Sequence, residues 1–207
     1  VVADTGMDVL VHAIEAYVSK SANDFSDAFA EKAIRLVYDY LVKSYSEPEN
    51  YDAKDKMHKA SLMAGLAFNS ASLGLNHAIA HNMGARLKIP HGRVNAMLLP
   101  KVIEFNSGVK GYNCTVIKDC AKKYAKIAKI MGLEGSNDRI LVKKLITETE
   151  KLVKKLDIPL TFSECKVKLL DEDIGIIAEG SLKDSCINTN PVPVIKEDVV
   201  GILRNLC

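Results

Sequence analysis

The chain has 207 residues, 48% of them hydrophobic, enough to bury the core of one large domain or two small ones. Its 28 basic and 26 acidic residues nearly cancel, and no basic block is interleaved with aromatics, which argues against nucleic acid as a partner. No apolar run reaches the ~20 residues that span a bilayer, and the opening residues lack the pattern of a secretion signal, so a soluble, cytoplasmic protein with no membrane partner is expected.

Apolar residues recur at intervals of three and four along nearly the whole length and rarely alternate with period two, which predicts an all-α chain. A first helix is expected from Thr5 to Ser19 with Met7, Leu10, Val11, Ile14 and Val18 as its apolar stripe. Asp24, Ser26 and Asp27 supply start signals for a second, through Phe29, Ile34, Val37 and Leu41, which stops before Glu47-Pro48. The third runs from near Asp52 to Ser72. Its small residues Ala60, Ala64, Gly65, Ala67 and Ala71 suit close packing and predict a central position.

Gly74 punctuates the chain before a short helix holding His77 and His81, which Ile89-Pro90 must end because the residue before proline avoids helical dihedrals. Another helix follows through Val94, Met97, Leu98, Val102 and Ile103 to Gly108. Ile117, Cys120, Tyr124, Ile127 and Met131 form a further stripe, and Leu141, Leu145, Leu152 and Leu156 another. Residues 160–168 read as loop or a short extended piece. Asp171 to Lys183 and Lys196 to Leu206 close the chain as helices, separated by Pro191 and Pro193. No repeat, low-complexity run or long linker appears, so residues 1–207 are expected to form a single helical unit. Five cysteines without a Cys-x-x-Cys pair fit reduced, incidental thiols. The start on Val1-Val2-Ala3 rather than Met suggests a piece of a longer protein.

Only five histidines are present, and four fall in two compact clusters with an acidic companion. Asp8 and His12 are four apart, which on a helix sets both side chains on one face a turn apart. His77 and His81 repeat that spacing, and His91 follows between Pro90, which ends the helix, and Gly92, which lets the backbone turn His91 back toward the first face. One carboxylate among several imidazoles suits a divalent zinc, iron, copper or nickel ion, whereas magnesium and calcium want more oxygen. The plainer alternative stays open on spacing alone: His-x-x-x-His as an ordinary core or surface pair, and Asp8 as a charge complementing a helix start. His58, in a charged stretch, reads as surface.

The strings Thr5-Gly6-Met7-Asp8-Val9-Leu10-Val11-His12-Ala13-Ile14-Glu15-Ala16-Tyr17 and Gly74-Leu75-Asn76-His77-Ala78-Ile79-Ala80-His81, leading through Pro90-His91-Gly92 to Asn95-Ala96, resemble the iron-containing alcohol dehydrogenases. Looser similarity extends to the end of the sequence, including Asn190-Pro191. The resemblance implies the helical C-terminal domain of the dehydroquinate-synthase-like architecture, with Asp8, His12, His77 and His91 as ligands of Fe2+. It also implies that His81 lies beside the nicotinamide of NAD or NADP without being a ligand, as a cofactor-binding and catalytic residue that helps move the hydroxyl proton. Zinc-using relatives such as glycerol dehydrogenases lack a counterpart of His12, so iron is expected, with Zn2+ a second occupant. The implied substrates are small alcohols and aldehydes, the ion polarising the substrate oxygen during hydride transfer. Family members are about twice this length and carry an N-terminal α/β nucleotide-binding domain. The sequence has no glycine-rich turn of that kind, so this chain alone is expected neither to bind NAD tightly nor to turn over. The implied setting is fermentative, and a homo-oligomer is expected. Two other functions fit the same residues: a zinc-dependent polyol dehydrogenase, and a helical metal-binding module without catalysis.

Overall fold

The computed structural model describes residues 1–109 and 118–207. Its first helix, α1 (Val2–Val18), is apolar on every side. From Gly6 to Val18 only Asp8, Val9 and His12 are not fully buried. A helix of this kind belongs in the middle of a structure. The third helix, expected there from its small residues, instead buries one stripe (Ala53, Met57, Ala60, Ala64, Ala67 and Ala71) and turns Leu62 and Leu66 outward. Small residues report a close approach on one face; burial on all faces needs apolar residues all round, as in α1.

Around α1 lie α2 (Asp24–Ser46), α3 (Tyr51–Ala71) and α5 (His91–Ser107). The order continues with α4 (Leu75–Leu87), α6 (Ala121–Ile130), α7 (Asp138–Lys155), α8 (Asp171–Lys183), a 3-10 turn (Ser185–Thr189) and α9 (Lys196–Arg204), with no strand among the described residues. Residues 160–168 are turns. Stops and starts follow local chemistry. Asn23, one residue ahead of the expected start signals, caps α2 by accepting the Ser26 amide while Ser26 Oγ accepts the Asn23 amide. Asn50 and Asn137 cap α3 and α7 by accepting the Ala53 and Ile140 amides. Asp173 and Asp198 reach back to the amides that precede α8 and α9. The helix with His77 ends at Leu87, and Pro90 then stands at the N-cap of α5. Among the stripes read from the sequence, Ile117 lies outside the described residues, as does Cys114. The other four cysteines form no disulfide.

Two large apolar cores and a small cluster of Leu73, Ala78 and Cys186 form among the described residues, and α5 is the wall between the two large ones. Ala96, Leu99 and Ile103 face the core of α1, α2, α3, α6 and α7. Val94, Met97, Leu98 and Val102 face the core of α4, α8 and α9. The link from α3 to α4 is pinned from several directions. Ser19 Oγ donates to the Ala71 carbonyl and Thr189 Oγ1 to that of Leu73. Fully buried Asn190 accepts the Leu75 amide and exchanges hydrogen bonds with Asn106, which also donates to Tyr124. A segment near the C-terminus thereby sets where α4 begins.

Gly92 departs from its expected role. It does not turn the chain; it lies inside α5 where the backbone of α1 touches, and a Cβ there would land on the Asp4 carbonyl. The side chain of Asp4 meets Arg93 Nε and Nη2 at 3.2 Å each, closing the same joint. Gly92→Ala is therefore expected to destabilise the fold by about 1–3 kcal/mol through overpacking. Gly175→Ala in α8, where no atom would meet the new methyl within 4 Å, is expected to stabilise it by roughly 0.5–1 kcal/mol. Urea unfolding of the two variants beside the parent separates these outcomes.

Candidate metal centre

Asp8 and His12, two of the three half-open positions of α1, face the first turns of α4 and α5. Asp8 and His12 stand one turn apart, with Asp8 Oδ2 3.7 Å from His12 Nδ1. His77, the third residue of α4, brings its Nε2 to 3.7 Å from Asp8 Oδ1, and His91, the first residue of α5, brings its Nε2 to 3.6 Å from the same oxygen. Donor atoms of Asp8, His12 and His77 all lie within 4.8 Å of one another. The structure thus brings together all four residues singled out as ligands, from three helices.

Asn95, one turn after His91, shows that the donors converge. Its amide nitrogen is 2.6 Å from Asp8 Oδ1, 3.0 Å from His91 Nε2 and 3.2 Å from His77 Nε2. One amide offers two hydrogens, so it cannot bond all three of these atoms, which are aimed at a single small volume. A divalent ion with bonds of about 2.0–2.2 Å fits a carboxylate and imidazoles so placed, after small side-chain shifts. The residues fit the chemistry of such an ion.

What orients His77 is Glu15, also on α1 and only 3% exposed. Its Oε2 lies 2.6 Å from His77 Nδ1, and its two oxygens accept the Asn76 and His77 amides at 2.7 and 3.3 Å. One carboxylate therefore caps α4 and ties the far side of the imidazole ring, leaving Nε2 pointing inward. Burial opposes charge on His77, but Asp8 and Glu15 on either side prevail and hold its pKa up, at about 9. Burial, reinforced by the neighbouring His77, pushes His12 down to about 4, and burial lowers His91 as well. Asp8 is lowered: burial works against it, but the surrounding imidazoles outweigh burial. His12 and His91 are thus neutral near pH 7, the state a metal ligand needs.

His12 stacks on Phe68 of α3, ring centroids 4.6 Å apart. Beyond them a groove of about 380 Å³ runs between α1 and α3, lined near the site by Asp8, Val9, His12 and Phe68. His58 is exposed at the outer end of that groove. His81 stands at the rim of the site, one turn beyond His77 and 42% exposed, its ring parallel to that of His91 at 5.4 Å. Its Nδ1 lies 2.9 Å from Asp184 Oδ2. Burial tends to raise Asp184, but hydrogen bonds from Cys186 and His81 outweigh it and keep the carboxylate charged.

The sequence reading assigned no role to Glu15, Asn95 or Asp184. Glu15 had a signal: it follows His12 by three and Asp8 by seven, one charge on the same face of an otherwise apolar helix. Asn95 follows His91 by four. Asp184 is 103 residues from its partner and had no local signal.

The family model for the C-terminal part of the Fe-containing alcohol dehydrogenase family matches residues 2–207. A 1-propanol dehydrogenase, PduQ, of Salmonella typhimurium is 41% identical over 210 residues, spanning all of this chain and 55% of that protein. An NADPH-dependent butanol dehydrogenase of Clostridium saccharobutylicum is 39% identical over 204 residues, spanning 98% of this chain and 50% of that one. Among solved structures, 1,3-propanediol oxidoreductase superposes with a TM-score of 0.89 at 37% identity, over 99% of this chain and 51% of its own. The chain spans about half the length of the curated relatives it matches.

Loss of an outer partner of a ligating histidine typically costs about 10–100-fold in metal affinity. Glu15→Gln, which keeps the size but removes the charge, is expected to weaken binding of Fe2+ or Co2+ by that factor, measured by anaerobic titration. Unchanged affinity would remove Glu15 from any part in holding His77.

Proposed function

Since the chain belongs to the Fe-containing alcohol dehydrogenase family, we propose that it is the metal-bearing helical part of an NAD(P)-linked enzyme interconverting short primary alcohols or diols and aldehydes. The observation that carries this reading is the convergence of Asp8, His12, His77 and His91 on one point beside an open groove. A ferrous ion held by these four residues supplies a Lewis acid at the substrate oxygen. The rest of the chemistry belongs to the chain and to a nicotinamide held by a nucleotide-binding domain outside these residues.

His12 and Phe68 form one wall of the groove beside the donor set. His81 is the group placed to hold and pass the hydroxyl proton. Its Nδ1 is occupied by Asp184, so Nε2 is the nitrogen left to exchange a proton with substrate or water. Asp184 fixes the tautomer and stabilises the imidazolium formed when the proton arrives. Glu15 engages His77 Nδ1 and so aims Nε2 at the site, where a bound ion would take the place of the Nε2 proton. His12 is the basis for expecting iron, because the resemblance implies that zinc-using relatives lack its counterpart. A fermentative, oxygen-poor cytoplasm suits a ferrous ion so held.

The full-length enzyme purified without oxygen is expected to contain one iron per chain and to reduce NAD+ or NADP+ in the presence of short alcohols. His81→Ala should lower kcat by about 10²-fold or more while iron content stays constant. His12→Ala should lower iron content itself. Retained iron in His12→Ala would move the reading to a zinc-dependent polyol dehydrogenase, and bound iron without alcohol-dependent nicotinamide reduction would leave a metal-binding module without catalysis.

A further inference from the structure

Behind His81 lies a second set of metal-competent groups. The 3-10 turn after α8 carries Cys186, and Asp184 at its start holds both ends of the arrangement. One carboxylate oxygen accepts the Cys186 amide at 2.9 Å and the other meets His81 Nδ1 at 2.9 Å. A donor atom from each of His81, Asp184 and Cys186 lies within 4.8 Å of the other two. Their exposure is graded: the thiol is buried, the carboxylate half-buried and the imidazole open to solvent. An ion can enter from the His81 side and reach sulfur at the back.

The donor set decides the kind of ion. One nitrogen, one oxygen and one sulfur suit a borderline-soft divalent cation of the zinc class, and disfavour magnesium and calcium. Tetrahedral zinc, with bonds of about 2.0–2.3 Å, sets its ligands roughly 3.3–3.8 Å apart, so the His81–Asp184 pair at 2.9 Å would open slightly, and no pair, all lying within 4.8 Å, needs a large movement. The exposed His81 ring is free to supply most of the adjustment. Charge also permits it: Asp184 makes no ion pair with Lys or Arg among the described residues. Asp8, Glu15, Asp184 and a Cys186 thiolate together carry four negative charges against two divalent ions. The ring centroids of His77 and His81 are 5.8 Å apart, which keeps the two ions separate. Burial and the adjacent Asp184 push the empty thiol up to about 12, so an arriving ion displaces the thiol proton, which passes to water.

We propose that His81, Asp184 and Cys186 form a second, zinc-class cation site beside the candidate iron centre, and that filling it withdraws His81 from proton transfer and inhibits the enzyme. The binding part stands on these three residues alone; the inhibition rests on the role of His81 set out above. Cobalt is the probe for binding, because zinc is spectroscopically silent. The full-length protein stripped of metal and titrated with Co2+ is expected to take up two equivalents and to develop a cysteinate-to-cobalt charge-transfer band in the near ultraviolet. Cys186→Ser should take up one equivalent and lose the band, whereas His77→Ala should keep the band and lose the other equivalent. Absence of the band in the parent, or its persistence in Cys186→Ser, overturns the site. If the iron reading alone fails, the band survives and only the first equivalent is missing.

For inhibition, the iron-loaded enzyme is assayed with rising ZnCl2. Loss of an outer-shell partner already costs about tenfold or more in metal affinity, so loss of the thiolate in Cys186→Ala is expected to raise the inhibition constant of zinc at least that much. Equal zinc sensitivity of parent and variant overturns the inhibitory role.

Discussion

The contact between Glu15 and the start of α4 is the constraint on which the rest of the centre depends. A carboxylate with 3% exposure, left unpaired, would cost several kcal/mol. Glu15 escapes that cost only by engaging two backbone amides and the His77 imidazole together. The three bonds fix the height of α4 along α1, the rotation of α4 about its axis and the plane of the ring. Since Asp8 and His12 are borne by the same helix as Glu15, the spacing between the two halves of the donor set is inherited from a single rigid rod.

The second rigid part is α5. Its lateral faces serve two different cores, so its position is over-determined, and its first residue, His91, is delivered to the centre with little freedom. Asn95, one turn along, links this helix to Asp8 and, through Asn76, to α4. The donors therefore sit on helix ends buttressed from behind rather than on loops. Openness is confined to the groove along α3 and to the rim where His81 and Asp184 stand.

Much of this was legible in the chain. The period of three and four marked the helices, prolines and glycines marked most of their ends, and the paired spacings of Asp8 with His12 and His77 with His81 marked the site. What stayed hidden was non-local. Glu15 looks like any charge on a helix until α1 is known to be enclosed on all sides. Asp184 has no periodic relation to His81, and only the packing of α8 against α4 brings them together. The rank of α1 over α3 as the central helix was misread because small side chains were taken as a sign of burial, when Ala13, Ala16 and Tyr17 on the remaining faces of α1 carried the stronger signal. Gly92 was misread for a related reason: a glycine beside a proline suggests a bend, yet this one answers to a backbone 88 residues earlier in the chain, at Asp4.

The Asn190 clamp has a consequence for the order of events in biosynthesis. The bonds that close the centre join residues 61, 87 and 115 positions apart, the longest being that between Leu75 and Asn190. Closing such long loops costs entropy that is recovered only when the distant partner arrives. A chain emerging from the ribosome presents Asp8 and His12 well before Asn190. The donor set is accordingly held in place from both sides only once the segment around Asn190 has been made and has docked.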